Sequence, residues 1–134
     1  MKRVLVVDDE RKMRRVLQML LEQMGLESTP AESGEEALDC FQREKFDLVM
    51  TDLRMPGMGG MEWMQRLREL DPEVPVIVLT AYGTVATAVE AMKRGAFDFI
   101  LKPFDVDAVE VVIRNALELT RYRTENRYLR ERYD

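Results

Sequence analysis

Val4-Leu5-Val6-Val7-Asp8-Asp9 places four consecutive apolar residues of β type directly before two carboxylates. A strand that is apolar at every position, rather than at alternate ones, must be covered on both faces, as in a parallel sheet between two helical layers. The carboxylates cannot follow it into the core unpaired, so the strand has to end at an open rim. The arrangement recurs along the chain. Leu48-Val49-Met50 runs into Thr51 and Asp52, Val76-Ile77-Val78-Leu79 into Thr80, and Phe97 to Leu101 into Lys102, while a weaker strand spans about Leu26 to Ala31.

Amphipathic stretches separate these strands. Met13, Val16, Leu17, Leu20, Leu21 and Met24 fall on one face of a helix that Gly25 ends. Ser33 caps a second helix carrying Ala37, Leu38 and Phe41. After the loop Pro56 to Gly60 a third carries Met64, Leu67 and Leu70, although Gly59 offers no capping side chain at its start. Val85, Ala88, Val89 and Met92 mark a fourth, and the last begins near Asp105. Strict alternation of strand and helix predicts an α/β fold, a parallel sheet with right-handed crossovers. Strand two holds Glu27 and Pro30 with Glu32 just after it, and strand five holds Asp98, so these two belong at the edges. The five-stranded order 2-1-3-4-5, the flavodoxin-like one, satisfies this and puts a switch point between strands one and three.

Composition narrows the function classes. The 134 residues are 46% apolar and 34% charged, with 20 Lys and Arg against 25 Asp and Glu, which suits one globular domain and argues against nucleic-acid binding. Cys40 is the only cysteine, so no disulfide framework exists. No apolar run approaches the roughly 20 residues of a membrane helix, and Met1-Lys2-Arg3 leads straight into a strand, so the expectation is a cytoplasmic protein that binds neither membrane nor DNA directly. The absence of histidine excludes His bases, His nucleophiles and most zinc sites, and any metal must be held by oxygen. Met50, Met55, Met58, Met61, Met64 and Trp63 read as packing and loop residues.

The residues that close strands one, three, four and five, Asp8, Asp9, Asp52, Thr80 and Lys102, converge on one rim. Three carboxylates there require neutralisation by Lys102 and a cation, and an all-oxygen, solvent-rimmed site suits Mg²⁺. A metal, an ammonium and the Thr80 hydroxyl are also what three phosphoryl oxygens would need. Asp52, on the central strand, is the candidate nucleophile, forming an acyl phosphate.

These motifs resemble the receiver domain of two-component response regulators: Val6-Val7-Asp8-Asp9-Glu10, Thr51-Asp52-Leu53-Arg54-Met55-Pro56, Leu79-Thr80-Ala81 and Leu101-Lys102-Pro103-Phe104, in order over residues 1 to 118. The resemblance implies a phosphoacceptor rather than an enzyme, with self-phosphotransfer and autodephosphorylation as its only reactions. Its Asp52 would take a phosphoryl group from a sensor histidine kinase. Asp9, Asp52 and the Arg54 backbone carbonyl would bind Mg²⁺ directly, and Asp8 through water. Thr80 and Lys102 would grip the phosphoryl oxygens, Thr80 and Phe99 would act as the switch pair, Arg54 and Tyr82 would tune phosphate lifetime, and the Lys102–Pro103 bond would be cis. Phe99 stands where Tyr is commoner, which leaves packing but no hydroxyl hydrogen bond. Ala81-Tyr-Gly-Thr84, Ala91 to Asp98 and Lys102-Pro-Phe-Asp105 resemble the nitrogen-regulation and dicarboxylate-transport type, whose receivers precede an ATPase acting on sigma-54 polymerase and a DNA-binding domain. No Walker-type loop occurs in these residues, so the chain reads as a receiver and linker cut from a longer protein, or a short relative.

The rival readings are weaker. A Mg²⁺-dependent phosphohydrolase of the haloacid-dehalogenase kind needs a second Asp where Arg54 stands. A flavodoxin-like nucleotide carrier needs a glycine loop after strand one, where Asp8, Asp9 and Glu10 stand. A phosphorylation-independent dimerisation module would leave the five site residues unused. Beyond the receiver, residues 119–134 read as a coiled-coil linker helix. Leu119, Tyr122, Asn126, Leu129 and Tyr133 form a seam of spacing 3, 4, 3, 4, with Asn126 at an a position that sets register in a parallel homodimer.

Overall fold

A computed structural model describes residues 2–133; Met1, Asp134 and the side chain of Tyr133 lie outside that description. The elements alternate without exception: β1 (Arg3–Val7), α1 (Arg11–Gln23), β2 (Glu27–Ala31), α2 (Gly34–Arg43), β3 (Leu48–Thr51), α3 (Gly60–Leu70), β4 (Val76–Thr80), α4 (Val85–Lys93), β5 (Asp98–Leu101) and α5 (Val106–Tyr133). All neighbouring strands pair in parallel, in the order β2-β1-β3-β4-β5. The polar strands are at the edges, as expected, and β1, β3 and β4 are buried apart from Arg3.

Alternate residues of the inner strands feed two cores. Val4, Val6, Leu48, Met50, Ile77 and Leu79 pack with Leu17, Leu20 and Leu21 of α1 and Val109, Ile113 and Ala116 of α5. Leu5, Val7, Val49, Val76 and Val78 face the other way, onto Ala37 of α2, Trp63, Met64 and Leu67 of α3, and Ala91 of α4. Each inner strand is therefore apolar throughout because each side of its pleat meets a different helical layer.

Two helices depart from the expected pattern. Val16 is exposed on α1, whose burial rests on Leu17, Leu20 and Leu21. On α4, Val85 is 83% exposed, and Val89 and Met92 are also exposed, so only Ala91 is fully buried there. The i, i+3, i+4 spacing is real, but on α4 it marks an outward stripe, and Tyr82, Leu101 and Val106 are exposed as well.

The start of α3 needs no side-chain cap. Gly59 is its N-cap, and the Gly60 N–H donates to the Leu53 carbonyl at 2.9 Å, so the preceding loop satisfies a free helix donor. The contact is close: a Cβ on Gly60 would lie 2.6 Å from Leu53 Cα and 2.7 Å from the Asp52 carbonyl oxygen. Helix propensity alone would make Gly60→Ala stabilising by about 0.5–1 kcal/mol. Overpacking against backbone dominates, and the variant is expected to lose about 2 kcal/mol in urea unfolding. A stabilised variant would show that α3 can stand off from the loop.

Candidate functional site

The sheet register brings the rim together. Val7 lies opposite Thr51, Thr51 opposite Val78, and Thr80 opposite Leu101, so the residues that follow these strands share one edge. Backbone hydrogen bonds extend the ladder one step beyond the strands: Asp8 N–H to Ala31 O, Asp52 N–H to Val7 O and Lys102 N–H to Thr80 O. The side chains of Asp8, Asp52 and Lys102 therefore start from fixed backbone.

Lys102 Nζ donates to Asp8 Oδ2 at 2.7 Å and to Asp52 Oδ2 at 2.9 Å, a fork between two carboxylates that are nearly buried. The remaining oxygens are held by the loops. Asp8 Oδ1 accepts from Glu10 N–H at 2.9 Å, and Asp52 Oδ1 accepts from Leu53 N–H at 2.6 Å and Arg54 N–H at 3.1 Å. Asp9 is exposed, yet it offers a carboxylate oxygen within 4.8 Å of oxygens on both Asp8 and Asp52. Three carboxylates face one ammonium, and hard oxygen donors at one solvent edge fit Mg²⁺ chemically.

Burial is the main force on Asp8. It pushes the carboxyl above its ordinary value and outweighs the hydrogen bonds from Lys102 and Glu10 N–H, with the Asp52 charge adding to it. For Lys102 burial works the other way and favours the neutral amine, but its bonds to Asp52 and Asp8 prevail and hold the ammonium above the usual lysine range. The sign for Asp8 follows from linkage: a raised folded-state pKa stabilises fully below the unfolded value and is lost as pH rises through the folded value. Charged Asp8 is thus a net burden at neutral pH. Asp8→Asn is expected to raise stability by about 1 kcal/mol at pH 7 in EDTA, and to give no gain near pH 3. Chemical denaturation at both pH values checks it.

Thr80 is fully buried at the end of β4, and its Oγ1 accepts from Tyr82 N–H at 3.2 Å. Phe99, half-buried on β5, lies under the following loop, where a Cβ on Gly83 would come within 3.0 Å of its ring. Arg54 stacks its guanidinium 4.5 Å from the Tyr82 ring centroid. Both line the rim cavity with Asp9, Asp52 and Lys102. The Lys102–Pro103 bond is cis.

Three supports were not picked out from the sequence. Arg14 donates to the Asp8 carbonyl at 2.8 Å, reaching across from α1. Glu35 of α2 accepts from Met58 N–H at 2.5 Å and steadies the loop after Asp52. Trp63, read only as packing, is fully buried and donates from Nε1 to Thr51 Oγ1 at 3.1 Å, and Thr51 in turn donates to the Asp52 carbonyl at 2.9 Å. A buried indole N–H requires an acceptor, which was the available signal.

The C-terminal half of α5 has two distinct sides. Thr120 Oγ1 donates to the Asp47 carbonyl at 2.9 Å, Arg123 donates to the Glu73 carbonyl, and Arg127 pairs with the Glu73 carboxylate. Roughly 125° around the helix, Tyr122, Asn126 and Leu129 are exposed. Leu119 is half-buried against the domain, and the Tyr133 side chain lies outside the described residues. The helix passes residue 118 without a break. Among the described residues, no helix is long and apolar enough to cross a membrane.

Residues 4–114 match the response regulator receiver domain. The regulatory protein AtoC of Escherichia coli (strain K12) is 40% identical over 129 residues, which is 96% of this chain and 28% of that protein. The chain thus spans about a quarter of the length of the curated relatives it matches. The structure of NtrX from Brucella abortus in complex with ADP superposes with a TM-score of 0.89 at 33% identity, over 96% of this chain and 30% of that one. A response regulator receiver domain protein from Clostridium thermocellum superposes with a TM-score of 0.85 at 33% identity, over 91% and 98% of the two chains.

Proposed function

The chain belongs to the response regulator receiver family, and on that premise we propose that it is a cytoplasmic phosphoacceptor switch of a sigma-54-activator-type regulator, phosphorylated on Asp52 by a sensor histidine kinase. The observation that carries the reading is the fork of Lys102 between Asp8 and Asp52 beside Asp9. An ammonium already seated on the acceptor carboxylate is placed to follow the charge that arrives there.

In the transfer, an Asp52 carboxylate oxygen bonds to phosphorus while the bond from phosphorus to the donor imidazole nitrogen breaks. That nitrogen keeps the electron pair, and the product is an acyl phosphate. Lys102 Nζ shifts a hydrogen bond from Asp52 Oδ2 to a phosphoryl oxygen. Leu53 and Arg54 N–H hold Asp52 Oδ1 in place, which limits the carboxylate's rotation. Asp9, Asp52 and the Arg54 carbonyl would hold Mg²⁺ directly, and Asp8 through water; bound there, the ion supplies charge neutralisation for the phosphoryl oxygens. The chain itself carries only this self-phosphotransfer and the later hydrolysis. The stacked Arg54 and Tyr82 cover the rim and regulate water's access to the acyl phosphate.

Output follows from Thr80. Drawn toward the phosphate, its hydroxyl gives up the Tyr82 N–H and moves the loop that lies on Phe99. The Phe99 ring then turns inward by packing, and the apolar stripe of Tyr82, Val85, Val89, Met92, Leu101 and Val106 changes shape. A phosphoryl group adds about −1.5 to −2 charge, enough to bias elements balanced within a few kcal/mol. Residues 1–118 are the receiver. Residues 119–134 are the linker of a parallel homodimer, helical through Tyr133, leading toward ATPase and DNA-binding domains in the whole regulator. The exposed side of α5 at Tyr122, Asn126 and Leu129 supports the seam.

Sedimentation equilibrium with Mg²⁺, with and without beryllofluoride, tests this reading. The expected result is a change in dimer affinity that Asp52→Asn abolishes. Leu129→Asp is expected to weaken the dimer at least about tenfold, one buried Leu pair being worth well over 1.4 kcal/mol. A Leu129→Asp chain of unchanged dimeric mass would contradict the seam.

A further inference from the structure

The route from Thr80 through Phe99 ends on the α4 side of the domain, yet the contacts of the α5 tail lie elsewhere. Both Arg123 and Arg127 reach Glu73, in the loop that follows α3. We propose that Glu73 is a positioning residue that latches the tail, and that α3 links this latch to the Asp52 site. The proposal rests on the reading of Asp52 as phosphoacceptor.

Each end of α3 is tied down. At its N-terminus Gly60 is pressed against the Asp52 and Leu53 backbone, closer than any other residue type permits, and bonds to the Leu53 carbonyl. One turn on, Trp63 reaches the Asp52 carbonyl through Thr51. Rearrangement of the segment from Asp52 to Leu53 therefore has no slack before it meets α3. The core side of the helix, Trp63, Met64 and Leu67, is fully buried, so α3 responds as a body rather than bending.

At the C-terminal end Arg68 fastens the turn. Its guanidinium donates to the Val74 carbonyl at 2.5 Å and to the Gly95 carbonyl at 2.7 Å, and Asp71 Oδ1 accepts from Glu73 and Val74 N–H. Glu73 is thus tied to the end of α3 through Asp71 and Arg68, while its partners stand on the tail. Displacement of α3 along its axis moves Glu73 relative to Arg127 and opens or closes the latch.

The latch is suited to switching because it is weak. Glu73 and Arg127 side chains are 49% and 62% exposed, so their pairing is screened and readily reversed. The latched side of the tail lies about a third of a turn from Tyr122, Asn126 and Leu129. Closing it orients the seam outward without covering it.

Amide hydrogen exchange across residues 120–132 tests the proposal in a Leu129→Asp background, where the seam cannot contribute protection. Glu73→Arg and Arg127→Glu are each expected to speed exchange about two- to fivefold, the weight of one exposed ion pair, and the double variant to restore it. Equal exchange in all four chains would overturn the latch. With Mg²⁺ and beryllofluoride, exchange in the tail is expected to change more in the Leu129→Asp chain than in its Glu73→Arg derivative, which keeps only the Arg123 bond to the carbonyl of residue 73. A bound fluorine signal with no tail response, or with the same response in both, would overturn the link through α3 alone. Absence of any bound fluorine signal would remove the phosphoacceptor reading and this proposal with it.

Discussion

Asp52→Asn is expected to lower phosphate uptake from acetyl phosphate and Mg²⁺ by at least about a thousandfold, the scale of removing a nucleophile. The substitution is nearly isosteric. An amide oxygen keeps the acceptor that Leu53 and Arg54 N–H require and leaves Thr51 and Trp63 undisturbed. What it loses is the charge, the nucleophilic electron pair and the acceptor that Lys102 Nζ finds at Oδ2, which leaves Lys102 bonded to Asp8 alone. Removing one of three crowded carboxylates offsets the lost bond from Lys102, which keeps Asp8, so the variant is expected to fold and to unfold within about 1 kcal/mol of the parent in EDTA. Intact-mass measurement over time reads the uptake. Phosphate gained at the parent's rate would move the acceptor to another residue.

Lys102→Met is the variant with the largest expected effect on stability. The fork from Lys102 Nζ is the only ion pair that Asp8 and Asp52 make among the described residues, and both carboxylates are nearly buried. Taking away the ammonium leaves buried like charges without a partner, a change that costs about 3–5 kcal/mol. The chain in EDTA at pH 7 is expected to lose about 3 kcal/mol, and less at pH 4, where protonation relieves Asp8, whose carboxyl titrates above its ordinary value. Saturating Mg²⁺ is expected to return part of the loss, since the ion substitutes for the missing positive charge. Urea titrations under the three conditions separate these effects. Equal stability of variant and parent in EDTA would mean that Lys102 does not neutralise the site.

Much of this architecture was legible in the residues because burial on both faces leaves a mark that one-sided burial does not. Val4 to Val7, Leu48 to Met50 and Val76 to Leu79 announced inner strands, and Pro30, Glu32 and Asp98 announced edges, which sufficed for the strand order. Parallel strands then placed their closing residues on one rim, so Asp8, Asp52 and Lys102 met as expected. Periodicity was less informative on α4. Val85, Val89 and Met92 repeat as a core stripe would, but they face outward, and Ala91 alone is fully buried there. Contacts between a helix and a loop left no pattern at all. Glu73 sits in a polar turn like many others, and its meeting with Arg123 and Arg127 depends on the direction in which α5 leaves the domain. The missing cap at Gly59 left the start of α3 open for a related reason, since the acceptor for the Gly60 N–H is a backbone carbonyl of Leu53.

The most direct test of the central claim is to trap the phosphorylated residue chemically. The chain is treated with acetyl phosphate and Mg²⁺, reduced with borohydride, which converts an aspartyl phosphate to homoserine, and mapped by peptide mass. Homoserine is expected at position 52, with Asp8 and Asp9 unmodified. Homoserine at Asp8 or Asp9, or a peptide spanning Asp52 that stays unmodified while the protein carries phosphate, would contradict the claim.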